Sequence, residues 1–449
     1  MTTTARPQAA PPKPFRFPAF SRARLDNGLE VIIAPFQRLP LATIRLIVEG
    51  GAAVDAPGQE GGAWLTAKSL AEGTKRFSAE DITAVIEALG GELDPETDWN
   101  DISISTTITN TAVPQAIALL GDILRAPVFP AEQIERNRGE QIAAREQARR
   151  DPRQHADDMF MRVVYHERAR FALPEAGEIP AIAGFDNVTT REFHARHFAP
   201  SRACAIVAGA VDPDETLDHV RDALGEWEPR TTDARSAAVD EPAIAGGIHV
   251  VDRAGAPQTE LRLGHVGIPR LHPDYYAAVV MNSVFGGLFN SRINLNLREK
   301  HGYTYGAFSA FDWRVQSGPF VISTAVQTDA TDAAVRETLV EMDRMRETRI
   351  SEDERSLAVN FLAGVFPIRY ETSAAIAAGL AAMRVFGLPP NHFETYRDRI
   401  LSVTADDVLN AAQRHLQPEN LQILALGEGS TIEGLLAKLG RPVARLESR

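Results

Sequence analysis

Two stretches of this chain, a little over two hundred residues apart, spell out the same order of elements. Val188-Thr189 opens a helix-compatible run that reaches Phe198, Pro200 and an apolar strand ending at Gly209. Val403-Thr404 opens a second that reaches Leu416, Pro418 and a strand ending at Gly427. The helix starts are 215 residues apart and the strand ends 218, so one small insertion separates the copies. Phe129-Pro130-Ala131-Glu132, ahead of one long helix, likewise resembles Ile350-Ser351-Glu352-Asp353 ahead of another. A solenoid repeats every 20–50 residues or so. A period this long instead requires two related domains, each with its own core.

The remaining patterns set the class of those domains. Residues 21–32 read as two short strands around Asp26-Asn27-Gly28, a tight-turn sequence. Leu41–Val48 is a buried strand, and Ile102–Ile108 alternates like a strand with one face in a core. Helices are expected over 60–72, from Ser78 onward with Asp81 as its capping partner, over 112–124, from Phe129-Pro130 to Arg150, over 153–164, and from Thr189. The expected fold class is α+β, with two homologous domains that each stack helices on an antiparallel sheet. Residues 1–20 form a Pro-rich tail, 21–225 the first domain, 226–246 a polar linker with Pro229 and Pro242, and 247–449 the second domain.

Composition narrows the function classes. With 44% hydrophobic and 24% charged residues the chain is an ordinary globular one. A net charge of −13 argues against nucleic-acid binding. It suits basic peptide partners better. Cys204 is the only cysteine, which excludes internal disulfides and Cys-based zinc sites. No apolar run is long enough for a membrane span, and no secretory leader is legible. The cytoplasm is therefore expected, or the periplasm if a leader has been removed.

The densest concentration of chemistry is Phe285–Ser309, FGGLFNSRINLNLREKHGYTYGAFS. Gly286-Gly287 reads as a turn, and a helical run follows to His301. Gly302 stands where a helix stops. Tyr303, Tyr305, Ala307 and Ser309 recur at period two. Arg298 brings a fork of donors suited to a carboxylate or carbonyl. The Tyr305 phenol can donate to an oxygen that gains charge. An Arg on a solvated face and a Tyr in a core is the plain alternative.

With both regions in view, the chain resembles the pitrilysin or insulinase superfamily of zinc metallopeptidases. The closer branch holds mitochondrial processing peptidase and its bacterial relatives. Asp26-Asn27-Gly28-Leu29 is similar to that family's opening turn, and FGGLFNSRINLNLREKHGYTYG to its best-known second-domain segment. The resemblance implies that Arg298 and Tyr305 hold substrate and stabilise the developing oxyanion, beside Gly286 and Gly287. It also implies an inverted zinc motif, His-x-x-Glu-His, on the first long helix. Here Trp64, Ala67 and Lys68 occupy the three positions. Indole binds no zinc, alanine accepts no proton and lysine brings a cation. The third ligand position falls near Arg145, with Glu140 and Glu146 close by.

The resemblance therefore implies a zinc-less subunit, with no cofactor of its own. A homologous partner would carry the zinc, and peptides would be the substrate. A structural scaffold and a homodimeric peptide-binding protein are the alternatives. His194 and His197 are spaced for a metal but read as part of a surface helix. His155, His166 and His301 are isolated.

Overall fold

The computed structural model describes residues 14–230 and 246–447. Residues 1–13 of the tail, residues 231–245 of the linker and the last two residues lie outside the described residues.

The first domain runs β1 (Ser21–Arg24), β2 (Glu30–Pro35), β3 (Leu41–Glu49), α1 (Gly62–Ser69), α2 (Ala79–Ala88), β4 (Asp94–Thr97), β5 (Asp101–Thr109), α3 (Val113–Arg125), α4 (Ala131–Arg150), α5 (Pro152–Val164), α6 (Ile179–Ile182), α7 (Asn187–His197), β6 (Ala203–Gly209) and α8 (Pro213–Leu224). The second runs β7 (Ile248–Asp252), β8 (Gln258–Val266), α9 (Tyr275–Asn282), α10 (Arg292–Asn294), β9 (Thr304–Phe311), β10 (Pro319–Gln327), α11 (Thr331–Glu347), α12 (Glu352–Ile368), α13 (Ser373–Val385), α14 (His392–Leu401), α15 (Ala405–His415), β11 (Gln422–Gly427), α16 (Gly429–Leu436) and β12 (Val443–Leu446).

The repeat read from the sequence is a repeat of topology. The two six-stranded sheets have the orders β1-β2-β6-β3-β5-β4 and β12-β7-β11-β8-β10-β9. Each is mostly antiparallel, with parallel pairing of β2 to β6 and of β7 to β11. The last inner strand of each domain returns between two strands that run in opposite directions. It must therefore lie parallel to one of them. Only the outermost strands differ. β1 pairs antiparallel with β2, whereas β12 comes from the far end of the chain and pairs parallel with β7.

Local chemistry sets most helix starts. Ser78 and Asp81 form a reciprocal capping box on α2, and Thr404 and Asp407 do the same on α15. The start of α7 is a correction. Asp186, not Thr189, is its cap; the carboxylate accepts the N–H of Val188 and of Thr189, and Thr189 is the partner that reaches back. Asp151-Pro152 ends α4 and also opens α5, because Asp151 accepts the N–H of Gln154. Proline at a first helical position loses no hydrogen bond.

Each sheet is covered on one face by its own helices and on the other by a helix of the other domain. α13 lies across β3 and β6, and α5 lies across β8 and β11. This exchange explains why β6 is apolar at every position. Ala203, Ala205 and Val207 face the first domain's own helices, while Cys204, Ile206 and Ala208 join the core that contains α13. A strand buried on both faces loses the alternation of a half-exposed one. The Cys204 thiol is buried there, and burial pushes it above its ordinary range. Ion pairs fix the exchanged helices. Arg384 of α13 reaches Glu30 Oε2 at 2.7 Å and pairs also with Glu49. Arg262 of β8, fully buried, pairs with Asp157 of α5 and with Glu260. The described end of the tail is extended but fastened. Phe17 is buried and stacks on Phe393 at 3.8 Å, and Phe15 meets Phe366 edge-on.

The two domains also meet at the β4–β5 turn. Arg314 of the second domain lies 4.2 Å over the Trp99 ring and 4.4 Å over Phe171. Asp98, Asp101, Glu175 and Asp312 gather around this stack. Burial, and then the neighbouring Asp98 charge, raise Asp101 from 3.8 to about 7. Burial and Asp98 also raise Glu175 to about 7. A carboxyl whose folded pKa is raised holds its proton better folded than unfolded. Its stabilising contribution is complete below the unfolded value and is lost as pH rises through about 7. Asp101→Asn should therefore gain stability relative to the parent chain between pH 5 and pH 8. Urea midpoints at the two pH values check this, and an equal difference at both would refute it.

Candidate functional site

Arg298 and Tyr305 each sit on an irregular turn of backbone. α10 continues into a π-helical turn, Leu295–Lys300, so the expected helix over 290–301 is shorter and wider than an α-helix. A π turn holds one extra residue, a distortion often found at functional sites. Arg298 projects from it and lies 4.7 Å over the Phe289 ring, its side chain 35% exposed. Gly302 follows in the left-handed region, φ 66°. Its N–H donates to Arg298 O at 3.0 Å, and the N–H of Tyr303 to Leu297 O at 2.9 Å.

β9 then begins with a bulge. Thr304 is opposite Val326 and Ala307 opposite Thr324, three steps on one strand against two on its partner. The extra residue breaks the period-two reading. Continued regularly, that period would put Tyr305 on the buried face with Ala307 and Ser309. The bulge instead turns it out, and Tyr305 is 91% exposed. Two threonines hold the distortion. Thr304 Oγ1 accepts the Gly306 N–H at 3.0 Å, and Thr324 Oγ1 donates to Gly306 O at 3.0 Å.

Tyr305 and Phe308 stand at an open cleft of about 310 Å³, on the part of the second sheet that α5 leaves uncovered. Arg153, Glu260 and Arg262 line its other side. No hydrogen bond joins Arg298 to Tyr305 among the described residues. The free edge of β9 is closed by side chains: Asn294 Oδ1 accepts the Ala307 N–H at 3.1 Å, and Asn282 Nδ2 donates to Ser309 O at 3.0 Å. Gly286-Gly287 is not a free turn but the end of a π-helical turn, Ser283–Gly287. Gly286 is buried; a Cβ there would stand 2.3 Å from Ser309 Oγ and 2.5 Å from Ile293 Cδ1. Its bareness lets the helix end press against β9. Gly287 is exposed.

In the first domain, Trp64, Ala67 and Lys68 lie on α1 as expected. Ala67 is buried and Lys68 exposed. Lys68 Nζ donates to Pro95 O on edge strand β4 at 3.1 Å and lies 5.8 Å from the Trp64 ring centre. α1 itself is held from below. Asp55 accepts the N–H of Gly61 at 2.8 Å and of Ala63 at 2.9 Å, and Arg170 Nη2 lies 3.0 Å from it. Burial pushes this carboxyl up to about 6 against the pull of Arg170.

α4 turns three polar side chains inward near the expected third position. Asn137, Gln141 and Arg145 are buried, with Asn137 Nδ2 on Ser69 Oγ at 3.0 Å and Gln141 Nε2 on Gly61 O at 3.1 Å. Arg145 is committed to Asp158 at 2.5 Å. Glu140 and Glu146 are turned to solvent. A tryptophan, an alanine and a lysine do not fit zinc, because none offers a suitable donor at neutral pH. Restoring the motif with Trp64→His, Ala67→Glu and Lys68→His should add no equivalent of tightly bound zinc. Arg145 and an unprepared outer shell remain. An extra zinc in elemental analysis of the triple variant, or peptide hydrolysis by it alone, would refute this.

His194 and His197, expected on a surface helix, are buried instead. His194 Nε2 lies 2.8 Å from Leu124 O, and burial lowers it to about 4. They are structural histidines packed among Phe129, Phe193 and Phe198.

Two mixed α+β domains of one topology make up the described chain, with the Arg298/Tyr305 segment on the second. A family model described as Insulinase (Peptidase family M16) matches residues 33–172, and one described as Peptidase M16 inactive domain matches residues 189–362. With both family domains present in order, the chain belongs to the insulinase family, peptidase family M16. An uncharacterised zinc protease of Streptomyces coelicolor is 24% identical over 87% of this chain and 86% of its own length. A protein of Helicobacter pylori named a non-peptidase homolog is 23% identical over 85% and 88%. Among solved structures, a peptidase M16 inactive domain from Pseudomonas fluorescens superposes with TM-score 0.83 at 23% identity, covering 91% of this chain and 98% of that one. A chain of Candida albicans complex III superposes at 0.79 with 15% identity, covering 94% and 100%. No helix among the described residues is long and apolar enough to cross a membrane.

Arg298, Tyr305, Trp64, Ala67 and Lys68 are candidates legible in the sequence. The bulge and the two threonines that hold it are not. The one local signal was Gly306 inside a strand pattern, which marks a bulge in general.

Proposed function

We propose that this chain is the zinc-less subunit of a two-chain metallopeptidase, inactive alone, that lends Arg298 and Tyr305 to peptide hydrolysis at a homologous partner's zinc. One observation carries the reading: a tyrosine with no packing role is turned to open solvent by a bulge that two threonines maintain. A scaffold has no use for that distortion. Arg298, on its widened turn, would grip a backbone carbonyl or carboxylate of the peptide with its fork of donors. The Tyr305 hydroxyl would donate to the oxygen that gains charge at the scissile carbonyl. The excess of acidic residues suits basic peptides.

The test mixes this chain with a homologous chain that carries His-x-x-Glu-His. Peptide hydrolysis should appear in the mixture and in neither chain alone. Arg298→Ala should then raise KM with the complex intact by size exclusion. A second reading, a scaffold subunit, is favoured by the likeness to the Helicobacter pylori non-peptidase homolog. An intact complex whose kinetics ignore both Arg298 and Tyr305 would support it.

A further inference from the structure

Away from that site, the fold brings two histidines and a carboxylate together in the second domain. His272 and Asp274 lie in the loop between β8 and α9, and His415 ends α15, 141 residues beyond Asp274. Asp274 Oδ2 is 2.7 Å from His415 Nε2 and 3.9 Å from His272 Nδ1, and one ligand atom of each residue lies within 4.8 Å of the others. The two imidazoles are 5.0 Å apart and nearly perpendicular, at 85°. The backbone N–H of Asp274 donates to the lone pair of His272 Nδ1 at 3.1 Å, a hydrogen bond that a cation at this nitrogen would displace. Donors on a tetrahedron with bonds of about 2.0–2.2 Å stand about 3.3–3.6 Å apart. The two measured separations fall on either side of that span.

We propose that His272, Asp274 and His415 form a binding site for one zinc-like divalent cation, distinct from the degenerate motif on α1. Two imidazoles and one carboxylate suit zinc, whereas calcium and magnesium prefer oxygen shells. The site has a built-in competitor. Arg414 Nη1 lies 3.0 Å from Asp274 Oδ2, with a side chain 57% exposed. It neutralises the carboxylate when no cation does, and it can swing to water when one arrives. A bound cation would tie the β8–α9 loop to the end of α15. The proposal does not depend on the subunit reading.

The test uses the full chain, stripped with a chelator and titrated with Co²⁺ and then Zn²⁺. The expected result is one equivalent of Co²⁺ with visible bands of a four-coordinate site, displaced by Zn²⁺, and a higher Tm with Zn²⁺. His272→Ala should abolish both signals; its side chain is 31% exposed, and circular dichroism verifies that the variant folds. Arg414→Ala should bind the cation more tightly than the parent. Trp64→Ala and Lys68→Ala should change nothing. Absence of cobalt bands and of a Tm shift in both the parent and Arg414→Ala would overturn the proposal. So would parental affinity in His272→Ala.

Discussion

Tyr305→Phe should lower the turnover of the proposed two-chain peptidase by about 10²–10³-fold, the usual loss when one donor to a developing oxyanion is removed, if Tyr305 acts as proposed. The substitution takes away one hydroxyl and leaves the ring. Because Tyr305 is 91% exposed, its hydroxyl supports no buried contact. Urea midpoints and complex formation should therefore match the parent, and the loss should fall on kcat. The backbone geometry allows a second arm. Thr304→Val removes the hydroxyl that accepts the Gly306 N–H, loosening the bulge while the phenol stays in the chain. It should mimic part of the Tyr305→Phe defect. Full turnover in Tyr305→Phe, measured in a complex confirmed by size exclusion, would remove Tyr305 from the chemistry.

Asp55→Ala should cost about 3–5 kcal/mol of stability, the range for breaking one side of a buried ion pair. The pair is dry on both sides, with Asp55 0% and Arg170 3% exposed. The change strands the Arg170 charge and leaves the Gly61 and Ala63 N–H groups at the start of α1 without their acceptor. Arg170 keeps three backbone carbonyls, those of Leu173, Pro174 and Glu175. Hydrogen bonds to neutral carbonyls do not cancel its charge. Asp55→Asn, which keeps one acceptor oxygen, should cost less than Asp55→Ala. A loss below about 1 kcal/mol in urea unfolding of Asp55→Ala, within the ordinary range of single substitutions, would show that α1 is held by packing alone.

Much was legible from short patterns because short patterns encode local physics. The repeat announced two domains of one topology. Period and caps located β3, β5, β6, α2, α4 and α5. Residue types alone said that Trp64, Ala67 and Lys68 cannot hold zinc, because donor chemistry does not depend on fold. β4 escaped notice: Asp94-Pro95-Glu96-Thr97 has neither apolar alternation nor strand propensity, and it is a strand because the edge beside β5 accepts it. The same holds for the parallel pairings, which follow from where β6 and β11 insert.

The functional details were decided at longer range. The bulge that turns Tyr305 outward depends on the register of β9 against β10, and no pattern within β9 contains that register. His194 and His197 share a helix that looks polar, yet both are buried, because the helix packs against α1 and His194 reaches the end of α3. The exchange of α5 and α13 between domains, and the meeting of His272 and Asp274 with His415, require the folded chain. The amino-acid sequence by itself determined what each side chain can do. The tertiary structure decided which side chains meet and which face water, since those depend on how separate elements of the chain pair and pack.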